Sequence, residues 1–283
     1  MRRPPRRLPN DHLPRIAITL LGGLGIIVAL ACSGGDQQPA QPSPDAPRAT
    51  AEAAGTPQGA DTEPPASATE TPDLLPDITT TVPDDIYIEE GSDGEKLLRF
   101  STSVENRGEG PLELLGAEDA ATGNVIATQV IAQRDGGERE HFAGHFVMSD
   151  GHNHWHLENF ALFELFPFEG SQPTSGAIAS QNKITFCLID EARIEPPPEH
   201  VAEVPRFLAC EWDSQGISEG WRETYAAWLP EQWVVITDVP DGLYVLRTTL
   251  DPDGLLLESD TENNAVVLVI EIDGDDVALI EEP

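Results

Sequence analysis

Three of the seven histidines in this chain of 283 residues, His152, His154 and His156, stand at every second position. Imidazole nitrogens suit copper, zinc, iron and nickel. Geometry limits how three such residues can share one ion. On a regular strand, residues i and i+2 share a face, but i and i+4 lie roughly 13 Å apart, beyond the joint reach of two imidazoles. On a regular helix, i and i+4 meet while i+2 points away. A shared ion therefore requires a bent backbone. Ser149-Asp150-Gly151 permits the bend, and Asn153 tolerates unusual φ. The competing reading is a solvated polar strand with incidental histidines. A second group, Glu258, Asp260, Asn263 and Asn264, forms the pattern E-x-D-x-x-N-N. It is rich in the oxygen ligands that calcium prefers, although an Asx-rich turn has the same composition.

The elements that must position these side chains read as strands. Leu98, Phe100, Thr102 and Val104 alternate with Arg99, Ser101, Ser103 and Glu105, a period of two, and Asn106-Arg107-Gly108 then turns the chain. Further strands are predicted at Val125–Ile131, Phe160–Phe166, Ile184–Ile189, Trp233–Ile236, Leu243–Leu250 and Ala265–Ile272. Pro240-Asp241-Gly242 and Pro252-Asp253-Gly254 form turns between the last three. No long segment of period 3.6 competes with them. The fold class is all-β, a β-sandwich or related barrel with long irregular loops. Asp190 to Tyr225 contains Pro196-Pro197-Pro198 and little periodicity, so it reads as a long functional loop.

The chain outside this domain has a different character. Arg2, Arg3, Arg6, Arg7 and Arg15 precede an uncharged run from Ile16 to Ala31. Residues 1–31 are predicted to be an export signal, because the run is short and preceded by basic residues. Ala29-Leu30-Ala31-Cys32 resembles a bacterial lipoprotein cleavage site, apart from Ala29 where leucine is usual. Processing there would lipidate Cys32 and tether the protein to a membrane on the extracytoplasmic side; ordinary secretion is the alternative. Residues 32–72 are rich in Pro, Ala, Ser and Thr and poor in large apolar side chains, the composition of a disordered linker. The globular region runs over 73–272, and 273–283 read as an acidic tail. In an oxidising compartment Cys187 and Cys210 can pair, or remain as two buried thiols. The net charge of −34 disfavours nucleic acid as a partner, because phosphate binding needs a basic face. It serves solubility, and it also draws cationic partners.

The flanks of the histidine segment resemble a known family. Gly151-His152-Asn153-His154-Trp155-His156 followed by Glu158-Asn159-Phe160 is similar to the copper-binding segment of the lysyl oxidases. The resemblance continues in order through Leu97-Leu98-Arg99-Phe100 with Asn106-Arg107-Gly108, and through Lys183-Ile184-Thr185-Phe186-Cys187-Leu188. It then runs through Gln215–Gly220 to Thr224-Tyr225, Gln232–Val239 and Glu258–Asn264. It implies that His152, His154 and His156 hold copper. It also implies that the oxidised ring of Tyr225 joins the ε-amine of Lys183 as a lysine tyrosylquinone. The activity implied is oxidative deamination of primary amines, such as peptidyl lysine or a polyamine, to aldehydes, with O2 consumed and ammonia and hydrogen peroxide released. Glu223, where the family carries an acid, would be the base. Asp77 and the Ile78 carbonyl would complete the calcium site with Glu258, Asp260, Asn263 and Asn264. The chain has only the lysines Lys96 and Lys183 and the tyrosines Tyr87, Tyr225 and Tyr244, yet both cofactor positions are filled. Taken alone, Lys183 reads as a strand-edge charge and Tyr225 as a core aromatic. The family's cysteine at Gly151 is absent, so its bridges do not transfer directly; a Cys187–Cys210 bond is the expectation here. The other reading is a non-catalytic cell-surface binding module of the CARDB β-sandwich type, whose start and end patterns resemble residues 76–78 and 251–264. It leaves the histidine triplet, Lys183 and Tyr225 without a role.

Overall fold

Alternating side chains build strands here because each strand has one face to bury. A computed structural model describes residues 72–149, 151, 153–168 and 176–280; the side chains of residues 182 and 183 lie outside that description. The predicted signal, Cys32, nearly all of the linker and His152 also lie outside it. The described residues all belong to one unit, Pro65–Pro283. Among them there is no helix, and so no helix long and apolar enough to cross a membrane.

The strands in chain order are β1 (Asp73–Leu74), β2 (Ile78–Thr79), β3 (Ile86–Glu90), β4 (Lys96–Phe100), β5 (Thr102–Asn106) and β6 (Leu112–Glu118). There follow β7 (Val125–Gln133), β8 (Glu138–Ser149), β9 (His154–Pro167), β10 (Ala179–Phe186), β11 (Ala192–Arg193) and β12 (Ser214–Ile217). The last are β13 (Trp221–Tyr225), β14 (Trp233–Val235), β15 (Gly242–Leu250), β16 (Ala265–Asp273) and β17 (Asp276–Leu279). They form three antiparallel sheets. The largest runs β12-β6-β7-β8-β9-β15-β16-β17, with β1 added beside β7 and β10 beside β9; the others run β11-β13-β5-β2 and β14-β4-β3. The sheets share one core. Phe100 of β4 meets the edge of Phe163 on β9 at 4.7 Å between ring centroids, and Phe186 of β10 lies 4.2 Å from the ring of Tyr225 on β13. The molecule is all-β, as the periodicity predicts.

Three expectations need correction. The alternating run Leu98–Val104 is two strands in different sheets. The chain breaks at Ser101, whose N–H donates to the Asp85 carbonyl at 3.1 Å and whose Oγ accepts from Asp84 N–H at 3.0 Å. β5 is then buried at all five positions, so both of its faces are covered, and β13 and β2 flank it within its sheet. Asp190–Tyr225 is not one loop, since it contains β11, β12 and β13. Its strands were hidden because Ser214-Gln215-Gly216-Ile217 has little apolar surface and Gly216 has no room for a Cβ, which would lie 2.1 Å from the Leu112 carbonyl oxygen. The acidic segment 273–283 is not wholly loose. Gly274 turns the chain at φ 61°, and β17 pairs with β16 from Asp273↔Asp276 to Ile270↔Leu279. Val277 packs against the core, which offsets the cost of ordering this segment.

Candidate metal centre and active site

His154 and His156 stand at the start of β9, which pairs with β8. Asn153 takes up the left-handed conformation at φ 57°, and its N–H donates to the Ser149 carbonyl at 2.7 Å. Pairing resumes at once with His154 opposite Ser149 and His156 opposite Val147. Gly151 lies against the 226–232 segment, where a Cβ on it would be 3.2 Å from the Pro230 Cβ. His154 and His156, two apart on the strand, bring their ring centroids within 4.8 Å. His156 is fully buried. Its Nδ1 is 2.8 Å from Thr185 Oγ1 and its Nε2 is 3.3 Å from the Tyr225 hydroxyl.

Both neighbouring strands are irregular here. Between Leu157↔Phe186 and Ala161↔Ile184, β9 advances four residues while β10 advances two. Asn159, at φ 56°, lies in the surplus. Between Ile184↔Ala161 and Gln181↔Phe163, β10 has the extra residue. The backbone of Lys183 therefore sits on a bulge, two residues before Thr185. Bulges bend and re-aim strands, and they concentrate beside active sites.

Tyr225 closes β13 and is 3 % exposed. Its oxygen accepts the Cys187 N–H at 2.8 Å. Burial, reinforced by the nearby Glu223 carboxylate, pushes its phenol well above the usual range. Glu223 shares this buried face of β13 with Trp221 and Tyr225, while Arg222 and Thr224 face the other way. Its Oε2 accepts Ile189 N–H at 2.9 Å. Burial lifts its carboxyl from 4.5 to about 8, against that hydrogen bond and with help from Glu191 and Asp190. Cys187 and Cys210 are joined, with their Cα atoms 5.4 Å apart, and the Cys210 carbonyl accepts the N–H of Trp155, between the two histidines. A ring nitrogen of His154 lies within 4.8 Å of both sulfurs. Each sulfur is bonded to the other, so neither is a thiolate ligand.

Of the second predicted group, Asp77, Ile78, Glu258, Asn263 and Asn264 come together, and Asp260 does not join their hydrogen bonds. Glu258 Oε2 accepts Ile78 N–H at 2.7 Å, and its Oε1 accepts from Asn264 Nδ2 at 2.7 Å. Asn263 Nδ2 donates to Asp77 Oδ1 at 2.8 Å. Asp260 is exposed and caps Glu262 N–H at 2.9 Å, within its own turn. The Oδ1 atoms of Asn263 and Asn264 are buried with no hydrogen-bond partner among the described residues. Buried oxygens in that state, beside two carboxylates, suit a hard cation. Burial raises Glu258 from 4.5 to about 7.

A family model of lysyl oxidase matches residues 138–281, just over half of the 283. The chain belongs to the lysyl oxidase family. The match starts at the first residue of β8 and takes in the histidines, Lys183, Glu223, Tyr225 and the 258–264 cluster; Asp77 and Ile78 precede it. The chain is 34% identical over 116 residues to the protein-lysine 6-oxidase of Rattus norvegicus and to lysyl oxidase homolog 1 of Homo sapiens. That stretch is 41% of this chain and 26% and 18% of theirs. Lysyl oxidase homolog 2 of Gallus gallus is 27% identical over 181 residues, 63% of this chain and 19% of that protein. The chain thus spans about a quarter or less of the length of these curated relatives.

Two residues at the centre were assigned no role from the sequence, although Thr185 stands in the matched Lys183–Leu188 run. Thr185 is one hydroxyl within a strand, and Glu231 lies 46 residues from it. Only the folded chain brings Glu231 Oε2 to 3.4 Å from Thr185 Oγ1.

Proposed function

We propose that this chain is a copper-dependent amine oxidase of the lysyl oxidase type. It converts primary amines such as peptidyl lysine or polyamines to aldehydes, consuming O2 and water and releasing ammonia and hydrogen peroxide. The observation that supports this most is the meeting of the buried His156 and Tyr225 at 3.3 Å beside His154. Paired imidazoles held by the protein suit copper, so His154 and His156 fit the metal, with His152 as the third ligand. Tyr225 and Lys183 are the residues from which the lysine tyrosylquinone would form. That cofactor, with copper, would supply the carbonyl and redox chemistry.

The chain's own groups then have definite tasks. Phe186 packs the Tyr225 ring and the Cys187 N–H holds its oxygen, which fixes the ring's attitude towards His156. Glu223 is the proton acceptor. Its Oε2 is held by Ile189 N–H, and Oε1 exchanges the proton. A carboxyl lifted to about 8 is a stronger base than an ordinary glutamate near neutral pH. Asp77, the Ile78 carbonyl, Glu258, Asp260, Asn263 and Asn264 hold a structural calcium ion. The protein is exported and anchored through lipidated Cys32, and its negative charge draws in cationic amines.

Reconstitution of the purified protein with copper in air, followed by phenylhydrazine, tests the reading. A coloured adduct is expected in the wild type and absent in both Lys183→Ala and Tyr225→Phe. Stoichiometric copper without an adduct would reduce the protein to a copper binder. Failure to bind copper would leave a binding module.

A further inference from the structure

The hydrogen bonds around His156 have a direction, and Glu231 sets it. A carboxylate accepts hydrogen bonds and does not donate them, while a threonine hydroxyl has one hydrogen to give. Thr185 Oγ1 lies between Glu231 Oε2 at 3.4 Å and His156 Nδ1 at 2.8 Å. If its hydrogen goes to Glu231, its lone pairs face the imidazole, and Nδ1 must carry the ring proton. Nε2 then offers a lone pair. On that side Tyr225, whose oxygen already accepts the Cys187 N–H at 2.8 Å, has its own hydrogen to donate across 3.3 Å. These three bonds then run one way: Tyr225 to His156, His156 to Thr185, Thr185 to Glu231.

We infer that Thr185 and Glu231 are positioning residues that hold His156 as the Nδ1–H tautomer, so that Nε2 is presented to the metal on the side of Tyr225. The inference rests on the reading of His156 as a copper ligand. A metal-bound histidine commonly donates its other ring N–H to a partner that fixes both ring and tautomer, and losing that partner weakens binding. The backbone of Glu231 is a second, independent sign. It is held at φ 67°, a left-handed conformation that disfavours side chains other than glycine and asparagine, in the reversal between β13 and β14. Leu229 N–H donates to the Ala226 carbonyl at 2.9 Å and Trp233 N–H to the Glu231 carbonyl at 2.9 Å, which fix that reversal. A backbone that favours glycine here carries a glutamate whose carboxylate reaches the Thr185 hydroxyl.

The experiment is long-range proton–nitrogen NMR of metal-free protein labelled at histidine nitrogens, together with copper titration. Wild type and Thr185→Ser should show His156 protonated at Nδ1. Thr185→Val, near in shape but unable to hydrogen bond, should lose that preference and bind copper roughly ten- to a hundredfold more weakly. Glu231→Gly should show the same tautomer loss while melting no lower than the wild type, because glycine accepts the left-handed backbone without strain. A purely structural role predicts lower melting and an unchanged tautomer, and would overturn the inference. So would an Nε2–H tautomer in the wild type, or undiminished copper affinity in Thr185→Val. If the wild type bound no copper, the oxidase reading would fail, while the metal-free spectra would still decide the hydrogen-bond relay.

Discussion

Glu223 and Tyr225 lie two residues apart on one buried face of β13, and each is protonated more readily than its free counterpart because burial penalises the charged form. For Glu223 the folded carboxyl titrates at about 8, against 4.5 for the ordinary group. The folded state therefore holds the extra proton between those values. The stabilisation is complete below about pH 4.5 and is lost as pH rises through about 8. Glu223→Gln should flatten the fall in melting temperature over that window, as read by calorimetry at constant ionic strength. Activity should move the other way in the wild type, since the base must be a carboxylate: turnover should rise towards pH 8, and Glu223→Gln should lower it by roughly a hundredfold or more. A pH profile unchanged by the substitution would remove Glu223 from the role of base. Tyr225→Phe should cost about 1–3 kcal/mol, because it leaves the buried Cys187 N–H without its acceptor. Urea unfolding measures that loss. Legibility at this scale follows motif density. His154, His156, Lys183 and Tyr225 stand in runs long enough to be matched. Thr185 and Glu231 form a pair only after two separate strand registers are set, so no local pattern exposes them.

At the scale of elements, the alternating strands were legible wherever one face is buried and the other wet, as in β7 and β15. They were illegible where both faces are covered, as in β5, and where a strand is short and polar, as in β12. The two bulges of β9 and β10 were also beyond the periodicity, which assumes a regular advance of two. Asn153 and Asn159, on either side of the two described histidines, adopt left-handed backbones. The Cys187–Cys210 link joins the residue after β10 to the segment before β12 across 23 residues. In the chain-entropy model a loop of that length is worth about 3 kcal/mol. Cys210→Ser should lower stability by roughly that amount in urea unfolding, and non-reducing peptide mapping should recover the two cysteines in one cross-linked fragment.

At the scale of the molecule, two distant stretches of chain are fastened together. Ile78 N–H and Glu258 are 180 residues apart, and Asp77 and Asn263 are 186 apart. Chelation should therefore lower the melting temperature of the whole domain. Without a cation, Glu258 stabilises the fold while neutral, and that contribution fades as pH rises through about 7. Added calcium should accordingly stabilise more at pH 8 than at pH 5, and Glu258→Ala should abolish the difference. Equal shifts at both pH values would contradict a carboxylate-held ion. Overall charge and strand composition were plain in the sequence, whereas the three-sheet arrangement was not, because the split at Ser101 depends on contacts with Asp84 and Asp85.

The bond between the Tyr225 oxygen and the Cys187 N–H bears on how the protein matures. One half of the disulfide fixes the tyrosine, and the other half, through the Cys210 carbonyl, fixes the strand between the two histidines. On the proposed reading, disulfide formation is expected to precede metal loading. A batch produced in reducing cytoplasm should bind less copper per chain than one produced in an oxidising compartment, even at equal purity. Metal analysis of the two preparations would detect that difference, and late oxidation of the thiols before copper is added should erase it.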